Sequence, residues 1–497
     1  MSNKLLVWLG ADYTHFCLSH VLQQKFDCDL YGVIDVTEKP KTFFEQQNLV
    51  NFKKTWFFHD QISKQQKKPN LEYLINFEEK FKINLWQLVL NERIFLYYDF
   101  HKFTYNEILS IVEQECRFFE TILEVKPDFF LTKLPGFHHL ELFYQMCRNV
   151  GIKVLMLNLS TFGQSCIITE DPGKLDIENY SNESSKTNFE ELQKKLYEND
   201  LSKQIKNKVI KTGTDKSNIL NSTIKYFFSS TQKTTKTHYP YYGRTKFNVL
   251  SYYLNFFLKT KNRKSFIDKQ LKKEIPSDQP FVYFPLHIEI ERATLITAPL
   301  FTNQIEIVKM ISKSLPINFK LYVKEHPAQV TRGWRTKSDY QELLSIPNVE
   351  LIHPDFSSKS LYEKCSLVIT IAGSAGFEAS FFGKPTITFS NLNYSILPFV
   401  YQIKNLNDLP IMIREALNSK VEPEVVANYI KLLEKNSSNF DWVDFTTKLK
   451  EEFFYGGNLV DVEISELKMQ SFLKRHYSEL EVLANDHIER INYFQND

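Results

Sequence analysis

Short apolar runs alternate with stretches of helical spacing over the first 170 residues. LLVWLG (5–10), CDLYGVIDV (28–36), KTWFFHD (54–60), KPDFFLTKL (126–134) and IKVLMLNLS (152–160) read as strands. Between them, residues 20–25, 106–124 and 139–150 carry apolar positions at helical intervals, and Pro127 and Gly151 punctuate the pattern where helices must stop. A second block begins near residue 280. FVYFPLHIE, FKLYVKEHP and VELIHP are strands with polar exits, separated by predicted helices at 303–314, 339–344 and 360–364. The stretch LVITIAGSAGFEASFFGKPTITFS (367–390) then gives a buried strand, a tight small-residue turn, a helix starting near Ala375 and a second apolar run. The fold class implied is α/β: two Rossmann-like domains facing a cleft, with a mainly helical middle insertion and a helical C-terminus. The pattern divides the chain into 1–170, 171–275, 276–440 and 441–497, and shows no repeat of fixed period.

The middle segment changes this picture. Residues 170–200 turn polar and acidic and read as a long loop or insertion. From Lys233 to Lys273, eleven Lys or Arg face one acid and are interleaved with Tyr239, Tyr241, Tyr242, Phe247, Tyr252, Tyr253, Phe256, Phe257 and Phe266. Such a segment fits peripheral association with an anionic membrane surface, and equally fits buried aromatics with solvated charges.

Composition bounds the rest. The 497 residues suit two or three packed units, and 43% hydrophobic against 24% charged residues is globular. A net charge of +2 gives no global argument for nucleic acid as a partner. The six cysteines (Cys17, Cys28, Cys116, Cys147, Cys166, Cys365) have no metal-binding spacing and suit free thiols in a reducing compartment. The apolar run at the start is closed by Asp12 and is too short for a secretory signal. The expectation is a cytoplasmic protein.

In a parallel sheet, ligands sit beyond the carboxyl ends of the strands. In the second block those ends are Pro285-Leu286-His287, Lys324-Glu325-His326-Pro327, His353-Pro354-Asp355 and Gly373-Ser374-Ala375-Gly376. The small turn Gly373–Gly376 lets a phosphate approach backbone N–H groups, and Ser374 adds a hydroxyl. Lys324 and His326 are cations suited to a leaving phosphate. Glu378, one turn into the helix, is placed for the cleft or for helix stabilisation. Glu291 and His287 stand in the exit of the first strand of this block, and His353 with Pro354 offers a surface for a nucleobase. In the first block Asp12 and His138 follow strands, and either suits the base that takes a proton from an acceptor hydroxyl. Asp12 serves equally as a helix N-cap.

The strings PLHIEIERATLITAPLFTNQ, LYVKEHP, VELIHP and VITIAGSAGFEASFFGKPTITF, within about 280–400, resemble the capsule polysaccharide biosynthesis proteins, the group that includes Kdo transferases. The resemblance implies a GT-B glycosyltransferase architecture, a nucleotide-sugar held mainly by the C-terminal domain, no essential metal and no cofactor beyond that co-substrate. It also implies that Lys324 and His326 meet the donor phosphate, that Gly373 to Gly376 cradle it, and that Glu378 lies near the ribose. The expected activity is transfer of a sugar from a CMP- or UDP-linked donor to a surface polysaccharide or lipid-linked glycan. A polyol-phosphate transferase, a nonhydrolysing UDP-sugar 2-epimerase and a non-catalytic binding module are the alternatives.

Overall fold

The computed structural model describes residues 2–63, 68–91, 93–163, 166–177, 187–198, 216–228, 233–275 and 279–496. Residues 178–186 and 199–200 of the polar stretch expected near 170–200 lie outside the described residues, and Phe189–Glu198 within it is a helix. The chain forms two compact units, each assembled from separated segments: 1–177, 199–246 and 433–497 in one, 178–198 and 247–432 in the other.

The first unit is built on seven strands: β1 (Asn3–Gly10), β2 (Cys28–Asp35), β3 (Phe52–Phe57), β4 (Phe129–Lys133), β5 (Lys153–Leu159), β6 (Cys166–Thr169) and β13 (Ser437–Ser438). Their order is β3-β2-β1-β4-β5-β6-β13, parallel from β3 to β5, with β6 and β13 antiparallel at the edge. The two-residue alternation of a strand explains why β1, buried on both faces, is uninterruptedly apolar from Leu5 to Leu9. Leu5, Val7 and Leu9 enter a core shared with helix Thr14–Lys25 and the C-terminal helices, while Leu6 and Trp8 enter a second core with helices Tyr105–Leu123 and His138–Asn149. The helical C-terminus is thus one layer of this unit, covering one face of its sheet with Phe445, Phe472, Leu480, Leu483 and Ile491.

The second unit carries β7 (Phe281–Pro285), β8 (Lys320–Lys324), β9 (Val349–Ile352), β10 (Leu367–Thr370), β11 (Thr386–Thr388) and β12 (Val400–Gln402). All are parallel, in the order β9-β8-β7-β10-β11-β12. Numbered within the unit this is 3-2-1-4-5-6, the doubly wound order in which the chain reverses direction between strands 1 and 4. The first unit repeats it from β3 to β6. Each sheet therefore has one crevice beyond its carboxyl edge, between β7 and β10 in one and between β1 and β4 in the other. Both units are Rossmann-like, as the alternation of patterns predicts.

Candidate functional site

The crevice of the second unit lies between the exit of β7 and the turn after β10, and His287 joins the two. Its Nε2 accepts the Ala372 N–H at 3.2 Å, and Gly373 N–H donates to Thr370 Oγ1 at 3.2 Å, which folds the turn over the ring. A Cβ at Gly373 would stand 3.0 Å from both His287 Nε2 and Thr370 Oγ1, and one at Gly376 would stand 2.5 Å from Thr386 Cγ2. Packing within the protein therefore excludes a side chain at Gly376 and crowds one at Gly373. Burial draws the His287 ring down to a pKa of about 3, with His326 and Arg335 adding to the effect. At neutral pH the ring is uncharged and shapes the turn as an acceptor.

The exit of β8 meets the same crevice. Lys324 is buried, its Nζ donating to Ser358 Oγ at 2.7 Å. His326 uses Nδ1 to accept the Ala328 N–H at 3.1 Å, which directs Nε2 away from its own backbone. Between them, Glu325 points into the core. Its carboxylate accepts from Arg335 Nε at 2.9 Å, Tyr340 OH at 2.7 Å and the His326 N–H at 2.6 Å. Arg335 also donates to the His287 carbonyl at 2.5 Å and to Glu289 at 2.7 Å, so one buried guanidinium ties the exits of β7 and β8 together. Gln304 closes the tie, accepting from His287 N–H at 2.7 Å and donating to its carbonyl at 3.1 Å.

Ser374 is exposed at the start of helix Ala375–Ser380, and its hydroxyl donates to Glu378 at 2.8 Å. The other Glu378 oxygen accepts from Tyr362 OH at 3.1 Å. With only six residues the helix contributes little dipole, so the electrostatics of the turn rest on Lys324, His326 and the N–H groups themselves.

His287, Lys324, His326, Gly373, Ser374, Ala375, Gly376 and Glu378 thus converge on one edge of three neighbouring strands. The remaining candidates of this unit lie apart. His353 and Pro354 follow β9, two strands from β7, and His353 is engaged at both nitrogens: 2.9 Å from Asp268 and accepting the Asp355 N–H at 3.1 Å. It anchors the C-terminal end of helix Lys246–Gln270. Glu291 is solvent-facing, 3.5 Å from Arg332.

Residues 174–408 match the family described as "Capsule polysaccharide biosynthesis protein". The matched segment covers just under half of the chain. It contains the whole converging set around the β7–β10 crevice. No curated protein matches the chain. Among solved structures, the UDP-GlcNAc 2-epimerase from Methanocaldococcus jannaschii is similar at 14% identity over 87% of this chain and 99% of that one, with a TM-score of 0.24. Two Thermosulfurimonas dismutans KpsC structures are also similar. The β-Kdo 2,7 transferase has 13% identity over 71% of this chain and 97% of that one, TM-score 0.28. The β-Kdo 2,4 transferase has 12% identity over 64% and 86%, TM-score 0.30. Likenesses this distant carry no argument about activity.

In the first unit, Asp12 follows β1 and is ion-paired with Lys133 at the end of β4, across that sheet's own crevice. It also accepts the Thr14 N–H at 3.1 Å, but the N-cap expected of it falls on Tyr13, one residue later, whose side chain makes no capping hydrogen bond. Burial opposes ionisation, but Lys133 and His15 outweigh it and hold the carboxyl below its ordinary value. His138 is enclosed instead, its side chain 1% exposed and 2.9 Å from Glu115. Tyr239 OH donates to Glu115 at 2.9 Å and lies 3.3 Å from His139 Nδ1, while His139 Nε2 and His59 Nε2 each lie 3.2 Å from Asp35. Among the described residues, Glu115, His138 and His139 are close enough to share a cation, with one ligand-type atom of each within 4.8 Å of the others. Glu115 is bonded to His138 and Tyr239, and His139 to Asp35 and Tyr239, so the set reads as a buried polar brace.

Arg335, Glu325, Gln304, Ser358 and Tyr362 escaped the sequence reading. Glu325 carried a signal: an acid directly after a buried apolar strand needs a buried cation. Nothing in the string RGWRTKSDY marked Arg335 as that cation.

Proposed function

We propose that this chain is a glycosyltransferase of cell-surface polysaccharide assembly, moving a sugar from a CMP- or UDP-linked donor to a glycan or lipid-linked acceptor. The observation that carries the reading is the convergence of His287, Lys324, His326 and the 372–374 turn at the strand-order reversal of a doubly wound sheet, inside the segment matched by the family. The donor's phosphate is assigned to that edge. Lys324 and His326 offset the negative charge that grows on the leaving nucleotide as the glycosidic bond breaks, and the N–H groups of Ser374 and Ala375, just past those that bond His287 and Thr370, hold its oxygens. An ammonium and an imidazole supply this charge without a metal ion. Glu378, fixed by Tyr362 and Ser374, presents an acceptor oxygen for a ribose hydroxyl.

The acceptor hydroxyl must lose its proton during transfer. We assign that proton to Asp12, which keeps 17% side-chain exposure where His138 keeps 1%. Replacement of His326 by Ala is expected to lower turnover by roughly a hundredfold, the scale of losing one charge partner of the transition state, with the thermal midpoint unchanged. Near-normal turnover refutes the assignment. A thermal-shift comparison of CMP, UDP, GDP and CDP names the donor class, because a ligand bound only by the folded state raises its stability.

A further inference from the structure

Arg244 ends a tight turn of the first unit, in the segment where basic and aromatic residues are interleaved. The turn follows the helical turn Tyr239–Tyr241. Arg244 N–H donates to the Tyr241 carbonyl at 3.2 Å, and Thr245 N–H to the Gly243 carbonyl at 2.8 Å. Gly243 has a φ of 74°, and a Cβ there would collide with the Phe100 carbonyl, so the turn is pressed onto the loop that carries Tyr98 and Phe100. The Arg244 guanidinium lies over the Phe100 ring at 5.1 Å and the Tyr241 ring at 5.4 Å, and Phe100 meets Tyr98 edge to face at 5.4 Å.

Two polar groups of this cluster are left over. Arg244 Nε and Tyr98 OH are buried with no hydrogen-bond partner, although each residue as a whole is only half-buried and can be reached from solvent. No acid pairs with Arg244 among the described residues. Asp35 is engaged by His59 and His139 at 3.2 Å each, Asp461 accepts the Lys39 N–H at 3.0 Å, and Asp99 is exposed. Burial pushes the Tyr98 phenol above its ordinary value, so it keeps its proton at neutral pH, and the Arg244 charge, felt at the same hydroxyl, opposes the shift. Buried donors without partners are rare in a folded chain, and two in one cluster mark a place for an acceptor from outside it.

The chemistry of that acceptor follows from the donors. The rings engage the flat face of the guanidinium and leave its in-plane N–H groups for a ligand. A guanidinium edge joined by a phenol fits a group with negative charge and at least two oxygens, a carboxylate or a phosphate. The charges of Asp35 and Asp461 reach Tyr241 as that of Arg244 does. Asp35 ends β2, beside β1 whose exit carries Asp12, so the cluster borders the carboxyl edge of the first sheet on its β2 side.

We propose that Arg244 and Tyr98 form an oxyanion site on the first unit, holding a carboxylate or phosphate carried by the acceptor. Naming the ligand as acceptor rests on the proposed function, whereas the site itself rests on the two unpartnered donors.

The test is titration calorimetry of the full chain with glucuronate, inorganic phosphate and methyl glucoside. At least one anion is expected to bind, and the neutral glucoside is not. Glucuronate alone identifies the carboxylate of an acidic sugar, and phosphate alone the phosphate of a lipid-linked acceptor. Arg244→Gln should weaken anion binding roughly tenfold or more, and Tyr98→Phe roughly threefold or more. Tyr98→Phe removes only a hydroxyl that has no partner in the free protein, so its thermal midpoint should equal or exceed that of wild type, which a structural role for the hydroxyl would not allow. Failure of both anions to bind, equal binding of the glucoside, or unchanged anion affinity in both variants overturns the proposal. So does phosphate binding that survives Arg244→Gln and is lost in His326→Ala, because it then belongs to the donor edge. Nucleotide-induced thermal shifts should match wild type in both variants. If nucleotides give no shift while anions still bind through Arg244, the donor assignment falls and this site stands.

Discussion

Arg335 Nε donates to the Glu325 carboxylate at 2.9 Å, and the two side chains are each 1% exposed. A buried ion pair of this kind adds little net stability while intact, because desolvation offsets the attraction, but removing one partner strands the other charge. Arg335→Met is expected to cost roughly 3–5 kcal/mol, and Arg335→Met/Glu325→Met to recover much of it. Urea unfolding of the single and double variants measures this. Equal stability of Arg335→Met and wild type contradicts it.

The glycines of the turn separate stability from binding. Gly376→Ala forces a methyl to within 2.5 Å of Thr386 Cγ2 and 2.8 Å of Tyr394 OH, and the overpacking should lower stability by about 1–3 kcal/mol. Gly373→Ala meets a side-chain ring at 3.0 Å, which can shift by a few tenths of an ångström. Its main effect should be weaker nucleotide binding with a smaller fall in thermal midpoint. Calorimetric unfolding and nucleotide titration of the two variants are compared, and identical behaviour argues against separate duties.

The Asp12–Lys133 pair makes a pH prediction. Lys133 lowers the Asp12 carboxyl, so Lys133→Met should raise it. With Asp12 as the base, the acid limb of the rate profile moves to higher pH by about one unit in that variant. An unmoved limb assigns the base elsewhere.

Four buried imidazoles predict loss of stability on acidification. Burial lowers His15 to about 4 and His238, His287 and His487 to about 3. In the unfolded chain each binds its proton near the ordinary value of about 6.5. Between these limits the unfolded state holds more protons, so stability is complete above about pH 6.5 and falls as pH drops toward 3–4. Near pH 5 the loss is about 2 kcal/mol per ring. His487→Phe, which removes a ring bonded only to the Leu483 carbonyl at 2.8 Å, should flatten the dependence of thermal midpoint on pH below 6.5. An unchanged slope counts against this account.

How much of this was legible follows the range of the interactions. β1, β2, β4, β5 and β7 to β10 were evident because a strand buried on both faces is apolar throughout, a local property. β12 and β13, three and two residues long, exist through their neighbours and leave no periodic trace. The residues at the β7–β10 crevice were found because strand exits in a parallel sheet are predictable. That His353 points toward Asp268, and that Glu325 belongs to Arg335, depends on pairings across 85 and 10 residues that a linear reading does not contain. The small-residue turn was noticed for its glycines, yet packing against His287, Thr370 and Thr386 explains both of them.

The first unit begins at the second residue and is completed only near the end of the chain. Its core contains Leu5, Val7 and Leu9 together with Phe445, Phe472, Leu483 and Ile491, and β13 closes its sheet edge. During synthesis the opening strands leave the ribosome with one apolar face uncovered, and they stay so until residue 491 has followed them. The second unit, largely contiguous over 247–432, has all of its strands in hand by then. The sheet whose strands come earlier along this chain thus receives its covering helices later than the second unit completes its own sheet, and its apolar face stays exposed for longer.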